Sequence, residues 1–572
     1  MVRTTIACER CRLSKVKCIH NGSPPCRGCV KASKTAPGQC VLARPQLKRR
    51  RCRDGARKAD VEESFSVAME PPKTHAERVG SPLSEAHTEA PIVRPSKPLL
   101  ADLMQTATVF VHKFRELGFL HRPTFSSDLK RGDSKARLLG SALTRLFSTA
   151  SPGDLQDDPP LISLAEPPNL YIVQTLLVIS MAEWGRGNIQ MAWMYGGAAI
   201  RMMQLLEVST EIHNRTFWSC FIMDRLVFSG IHQPLCLPLD TVNTHWPVPD
   251  TDYALGNANV THHLVIDPFP MTLDYSYAIL VQGFEIWARI HNWVVSGGRR
   301  RKDMLLDDNL PWKERSSWMT MRRQLQEWRD AQELPLQYPT SPASIATSLE
   351  KGEVFGYINL IYFVSILFLT REYIPFLPWP TSTPIGPVDP PLLPAQAPDE
   401  WWSSQALELF KAAACITRIL DDLEDEGAAL KTPFAAFCNF SAATMNIYVS
   451  CFPSMNLGRS GDMTAIVDRN LAYLDKFRTT WRIGEGWWTT VQRTKSLYER
   501  HARQPERYLG KTRDDFVELE ASIHGVAEPD KHDNATGRSE PQEMPPENVD
   551  ELDWAIEWPL WSELHSMHWE SI

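Results

Sequence analysis

The chain has 572 residues, room for three or four average domains, and its 43% apolar and 23% charged residues are ordinary for a soluble protein with a substantial core. The formal net charge of -7 hides three blocks: residues 1–60 hold 16 Lys or Arg against 3 Asp or Glu, residues 514–572 hold 2 against 16, and the middle holds 43 against 49. The basic head suits a polyanion, whereas the acidic tail would be repelled by DNA and must face another partner.

Six of the twelve cysteines fall between Cys8 and Cys40, spaced Cys8-x2-Cys11-x6-Cys18-x7-Cys26-x2-Cys29-x10-Cys40. The chain starts without the apolar stretch of a secretory signal, so these thiols are expected in a reducing compartment, where metal is a better staple than disulfides. A unit of about 45 residues needs such a staple, because it cannot bury enough surface alone. Two tetrahedral Zn²⁺ ions need eight ligand positions, and six thiolates supply eight only if two of them bridge. The resulting charge of -2 can be offset by Arg10, Arg12, Lys15, Lys17, Arg27 and Lys31. A disulfide-bonded module, a single four-cysteine site with two spare thiols and an RNA-binding zinc module remain the alternatives at this point.

Behind this module, Lys48, Arg49, Arg50 and Arg51 form a basic run that suits phosphate contact and nuclear import. Residues 60–97 are polar and broken by five prolines, the pattern of a disordered linker without sustained heptads. A fragment 1–98 is therefore expected to be mainly monomeric.

Helical periodicity begins near Leu99. Met194, Ala198, Met202 and Leu205 repeat at helical spacing, as do Phe217, Phe221 and Phe228. Further apolar helical segments cover about 170–182, 273–295, 355–370, 404–423, 434–452 and 465–482. The longest apolar run, Val354 to Leu369, is short for a bilayer crossing and contains Asn359 and Ser365, so it reads as a buried core helix. Proline-rich stretches at 234–249 and 375–398 must be loops. Arg201 and Asp224 each lie seven residues after an apolar stripe position, which suggests a buried ion pair between them. No nucleophile, paired acid or phosphate loop accompanies them, so no catalytic residue is assigned. Cys52, Cys220, Cys236, Cys415, Cys438 and Cys451 read as ordinary thiols, and His262 and His263 suit a polar loop. From about 512 the chain turns acidic, and its last part sets Leu552, Trp554, Ile556, Trp558, Leu560, Trp561 and Leu564 among acids.

Cys8-Glu-Arg-Cys-Arg-Leu-Ser-Lys-Val-Lys-Cys18 with Pro25-Cys-Arg-Gly-Cys29 resembles the fungal Zn(2)-C6 binuclear zinc cluster transcription factors. The last spacing of ten residues is at or just beyond the long end of that pattern, and Ser14 stands where a basic residue is common. Phe119-Leu-His-Arg-Pro-Thr-Phe125, Trp193 to Met203, Arg215 to Arg225 and Arg371-Glu-Tyr-Ile-Pro-Phe376 resemble, in that order, the fungal transcription factor regulatory (middle homology) domain. The resemblance implies two Zn²⁺ held by Cys8, Cys11, Cys18, Cys26, Cys29 and Cys40, with Cys8 and Cys26 bridging. It also implies that Lys15 reads guanine in a CGG-like triplet, while Arg12, Lys17 and Lys48, Arg49, Arg50 and Arg51 hold phosphates of double-stranded DNA.

The expected fold is mainly α. It comprises a small N-terminal binuclear zinc-cluster module (1–45), a disordered basic and Pro-rich linker (46–98), a large irregular all-α regulatory domain (99–510) and a disordered acidic tail (511–572). The expected function is a nuclear, sequence-specific DNA-binding regulator, an RNA polymerase II activator that recruits the transcription machinery or coactivators through Trp554, Trp558 and Trp561. A repressor without activating function and an enzyme with a localising zinc module are the rival readings. A homodimer through the helical domain and a small-molecule inducer stay open as partners, and no membrane contact is expected.

Overall fold

A computed structural model describes residues 7–8, 42–43, 99–147, 167–207, 209–226, 235–257, 263–386, 389–509 and 511. The chain divides into two units, Met1–Val93 and Arg94–Ile572. In the first, the described residues are two short strands, β1 (Ala7–Cys8) and β2 (Leu42–Ala43), paired antiparallel with Ala7 opposite Ala43 and Cys8 opposite Leu42.

The second unit is helical throughout its described residues, apart from an isolated bridge between His245 and Leu264. The first part comprises α1 (Leu100–Lys113), α2 (Arg122–Arg131), α3 (Ser134–Phe147), α4 (Leu170–Gly185), α5 (Ile189–Gln204), α6 (Glu211–Leu226) and α7 (Asp250–Leu255). The second comprises α8 (Ser276–Val295), α9 (Ser317–Asp330), α10 (Ala343–Ser348), α11 (Gly352–Arg371), α12 (Trp401–Asp425), α13 (Pro433–Cys451), α14 (Thr464–Arg478) and α15 (Ile483–Arg503). The protein is thus mainly α, and all six of the later apolar segments read from the sequence are helices.

Helix α11 is apolar around most of its circumference and has neighbours to match, packing against α8 on one side and α12 on the other. It is long and apolar enough to cross a membrane, yet its apolar window is almost wholly buried inside the body, as expected for a core helix. The polar residue in its middle, Asn359, is fully satisfied. Its Oδ1 accepts from Arg329 (2.8 Å) and the Tyr338 amide (2.9 Å), and its Nδ2 donates to the carbonyls of Leu336 (2.9 Å) and Phe355 (2.8 Å). A run of aromatic contacts through Trp287, Phe368, Phe434, Phe437 and Trp487 ties α8, α11, α13 and α15 into the same core.

Helices α4 and α5 form the most extensive pair. Small residues make this approach possible: Ala192, Gly196 and Ala199 of α5 are buried, and Ser180 of α4 donates to the Ala192 carbonyl at 2.7 Å. The face read from the sequence is therefore corrected. Met194 and Leu205 are 61% and 75% exposed, whereas Met202 and Met203 point inward. At the end of α4, a Cβ on Gly185 would sit 1.7 Å from the Trp481 ring, so only glycine admits that indole. The stretch 375–398 is a loop in its described part. It is held by Arg299, which donates to the carbonyls of Asp389 (3.1 Å) and Pro391 (2.8 Å).

Candidate functional site

Two places carry the chemistry singled out by the sequence. The first is the cysteine segment. Its described backbone is the β1–β2 pair, which sets position 8 opposite position 42. The donor set, six thiols and no competing oxygen ligand type, suits Zn²⁺. The other five cysteines lie outside the described residues, as do Arg12, Lys15, Lys17, Lys48, Arg49, Arg50, Arg51, Trp554, Trp558 and Trp561.

The second place is the interior of the helical body, where the motif residues near 119–125 and 215–225 build three polar clusters. Arg215, on the buried side of α6, donates to Asp250 (2.9 Å) and the Val248 carbonyl (2.8 Å) and lies over the Tyr253 ring at 4.1 Å. Lys351 reaches the same Asp250 at 2.6 Å, and Ser276 donates to it at 2.5 Å. Burial alone would raise the Asp250 carboxyl, but Lys351 and Arg215 overcome it and hold the group well below the usual carboxylate range. Tyr253 in turn donates to the carbonyl of Phe119 (2.7 Å), which links the 119–125 motif to the 215–225 helix.

Ten residues along α6, Arg225 is fully enclosed. It donates to Glu285 of α8 (2.7 Å) and to the carbonyls of Phe221 (3.0 Å) and Leu237 (3.1 Å). The expected Arg201 to Asp224 pair is not formed. Arg201 is exposed and donates to Gln204 (3.0 Å), while Asp224 accepts the amides of Cys236 (3.2 Å) and Leu237 (2.9 Å) with Arg225 at 3.8 Å. The physical reason is local: two backbone donors of the following loop and the adjacent guanidinium already satisfy the carboxylate.

Sequence reasoning missed a third cluster. Glu116 is completely buried, accepts from Tyr357 (3.1 Å) and neighbours Thr432, and burial pushes its carboxyl up to about 7. The signal was weak, because a lone glutamate between Arg115 and Leu117 looks like a surface residue. The described thiols behave as expected: Cys220, Cys415 and Cys438 are buried, and burial raises each thiol above its ordinary value. All three polar clusters join separate segments of the helical body to one another.

Residues 108–330 match the family model described as the fungal specific transcription factor domain. The chain is 26% identical over 350 residues to the Zn(2)-C6 fungal-type transcription factor FTF1c of Fusarium oxysporum, covering 55% of this chain and 35% of that one. It is 23% identical over 349 residues to FTF2 of the same organism, covering 55% and 30%, and 25% identical over 240 residues to the uncharacterized transcriptional regulatory protein C1327.01c of Schizosaccharomyces pombe, covering 36% and 24%. The chain thus spans about a third or less of the length of these relatives. No solved structure matches it.

Proposed function

We propose that this protein is a nuclear transcriptional regulator, not an enzyme, that binds specific DNA sites through a two-zinc, six-cysteine module. The observation that carries the reading is the match of residues 108–330 to the fungal specific transcription factor domain, downstream of the six cysteines between Cys8 and Cys40. In this reading Cys8, Cys11, Cys18, Cys26, Cys29 and Cys40 hold two Zn²⁺, which supply the folding energy that a module of this size lacks. Lys15 contacts guanine, Arg12, Lys17 and the 48–51 run contact phosphates, and the Trp-rich tail recruits the transcription machinery, which makes the protein an activator.

Lys15→Ala tests the base contact. It is expected to cost on the order of 1–3 kcal/mol on a CGG-containing duplex and to leave random-sequence binding nearly unchanged. Lys17→Ala should weaken both and flatten the salt slope by about one unit. Equal losses on specific and random DNA for Lys15→Ala would remove it as the base reader. Elemental analysis of purified protein should find two zinc ions per chain.

A further inference from the structure

The outer face of the last helix carries arginines that the rest of the body does not use. On α15 the residues turned inward are Trp487, Thr490, Val491, Thr494, Leu497, Tyr498 and His501, and on the opposite side Arg493, Ser496, Arg500 and Arg503 are exposed at spacings of three, four and three. Such spacing sets them in one stripe. Among the described residues, the one carboxylate near these three guanidiniums is Glu499, 3.8 Å from an Arg503 side chain that is 75% exposed. Favourable interaction with the carbonyl end of the helix dipole accounts for Arg500 and Arg503, but Arg493 lies almost three turns earlier. Residues 491–511 hold six Lys or Arg against two Glu, while residues 61–490 hold 36 against 47. A basic patch therefore closes an otherwise acidic body, directly before the most acidic segment of the chain.

We propose that residues 550–564 of the tail dock on this arginine stripe within the same molecule. The segment presents Asp550, Glu551, Asp553, Glu557 and Glu563 together with Trp554, Trp558 and Trp561. Arginine fits both halves of that chemistry, since a guanidinium forks onto carboxylates and stacks on indole faces, which lysine does less well. The start of the same helix shows the pairing, with Arg478 lying 4.9 Å from the Trp488 ring centroid. Reach is adequate. A disordered chain of the kind the tail's composition predicts would have a root-mean-square span of about 35 Å between residues 511 and 550, close to the roughly 30 Å length of α15. Tethering supplies an effective concentration of about 1 mM, so a weak contact suffices to occupy the stripe. The docked segment is withheld from other partners until one competes it away, and this holds whether or not the protein binds DNA.

Hydrogen exchange of the full-length protein tests the contact. In about 0.05 M salt the amides of 550–564 should exchange on the order of tenfold more slowly than in about 1 M salt, with no dependence on protein concentration. The triple variant Arg493→Glu, Arg500→Glu, Arg503→Glu should lose that protection, as should Asp550→Arg, Asp553→Arg, Glu557→Arg, and the two sets combined should regain it. The tail-side variant leaves the helical body untouched and keeps the test sound if the helix variant unfolds. Full exchange in the unaltered protein, or protection indifferent to either triple substitution, overturns the proposal. So does protection that rises with concentration, which would mean a second copy. The same holds if the helix variant loses DNA affinity with tail exchange unchanged, which would make the stripe a DNA surface.

Discussion

Replacing Asn359 with leucine isolates how a polar residue is tolerated at the centre of a long apolar core helix. The two side chains branch alike at Cγ and leucine is the larger, so no cavity forms, but four hydrogen bonds disappear. The Tyr338 amide and the Leu336 carbonyl lose these partners inside the core. At about 1–3 kcal/mol for each stranded group, with Arg329 losing one of its own acceptors, the gross penalty is roughly 3–7 kcal/mol. Added apolar contact from leucine offsets about 1–2 kcal/mol, leaving a net loss of roughly 2–5 kcal/mol. Against a typical total of about 5–15 kcal/mol this is a large fraction. Urea unfolding followed by tryptophan fluorescence should show the midpoint falling by that equivalent at unchanged slope. A loss under about 1 kcal/mol would mean that these groups find other partners, and that the network around Asn359 is not what holds the 334–338 segment to α11.

Glu116 predicts a pH dependence. Its folded-state value of about 7 lies above the ordinary 4.5, so its contribution is fully present below pH 4.5 and is lost as the pH rises through 7. The difference is worth about 3 kcal/mol at most, and Glu116→Gln should flatten this part of the pH profile and raise the melting temperature at pH 8. Gly185→Ala should destabilise by about 1–3 kcal/mol through the collision with Trp481, read as a lower melting temperature. Chelation of zinc should abolish specific DNA binding while leaving the helical circular dichroism of the body nearly unchanged, since none of the six proposed zinc ligands belongs to the helical unit. Replacing Trp554, Trp558 and Trp561 with alanine should abolish activation in a reporter assay without changing DNA affinity, and retained activity would place activation elsewhere.

The helices most legible in the sequence are those whose burial is made by large apolar side chains. The run 354–369 is the clearest, because its length and composition leave only a core helix or a membrane span, and Asn359 and Ser365 favour the former. Helix α15 was not legible, because Thr490, Thr494 and His501 share its buried face and dilute the apolar period. Helix α9 buries two tryptophans, a leucine and Arg329 in an otherwise polar segment, and left as little signal. On α5 the period was right and the face only partly so: Met202 is buried as read, but the tight α4 contact selects Gly196, Ala192 and Ala199 and leaves Met194 outside. Charge pairing was the least accessible feature. Asp250 meets Arg215 and Lys351 across 35 and 101 residues, and nothing in either local sequence points to the other. The cysteine spacing, by contrast, needs no tertiary information, because chelate bite and ligand count are properties of the sequence itself.

The Asp250 cluster also separates inheritance from folding. The stretch that matches a known family ends at residue 330, but Lys351, the second cation on Asp250, lies beyond it, as do Tyr357 and Thr432 around Glu116. The α11 helix that covers α8 lies beyond it too. A fragment cut at 330 would keep the whole of the family match and yet leave Asp250 short of one counter-charge, Glu116 stranded and the tryptophans of α8 bare. The recognisable domain and the smallest stable body are different lengths of chain, and expression trials guided by similarity alone would be cutting through a core.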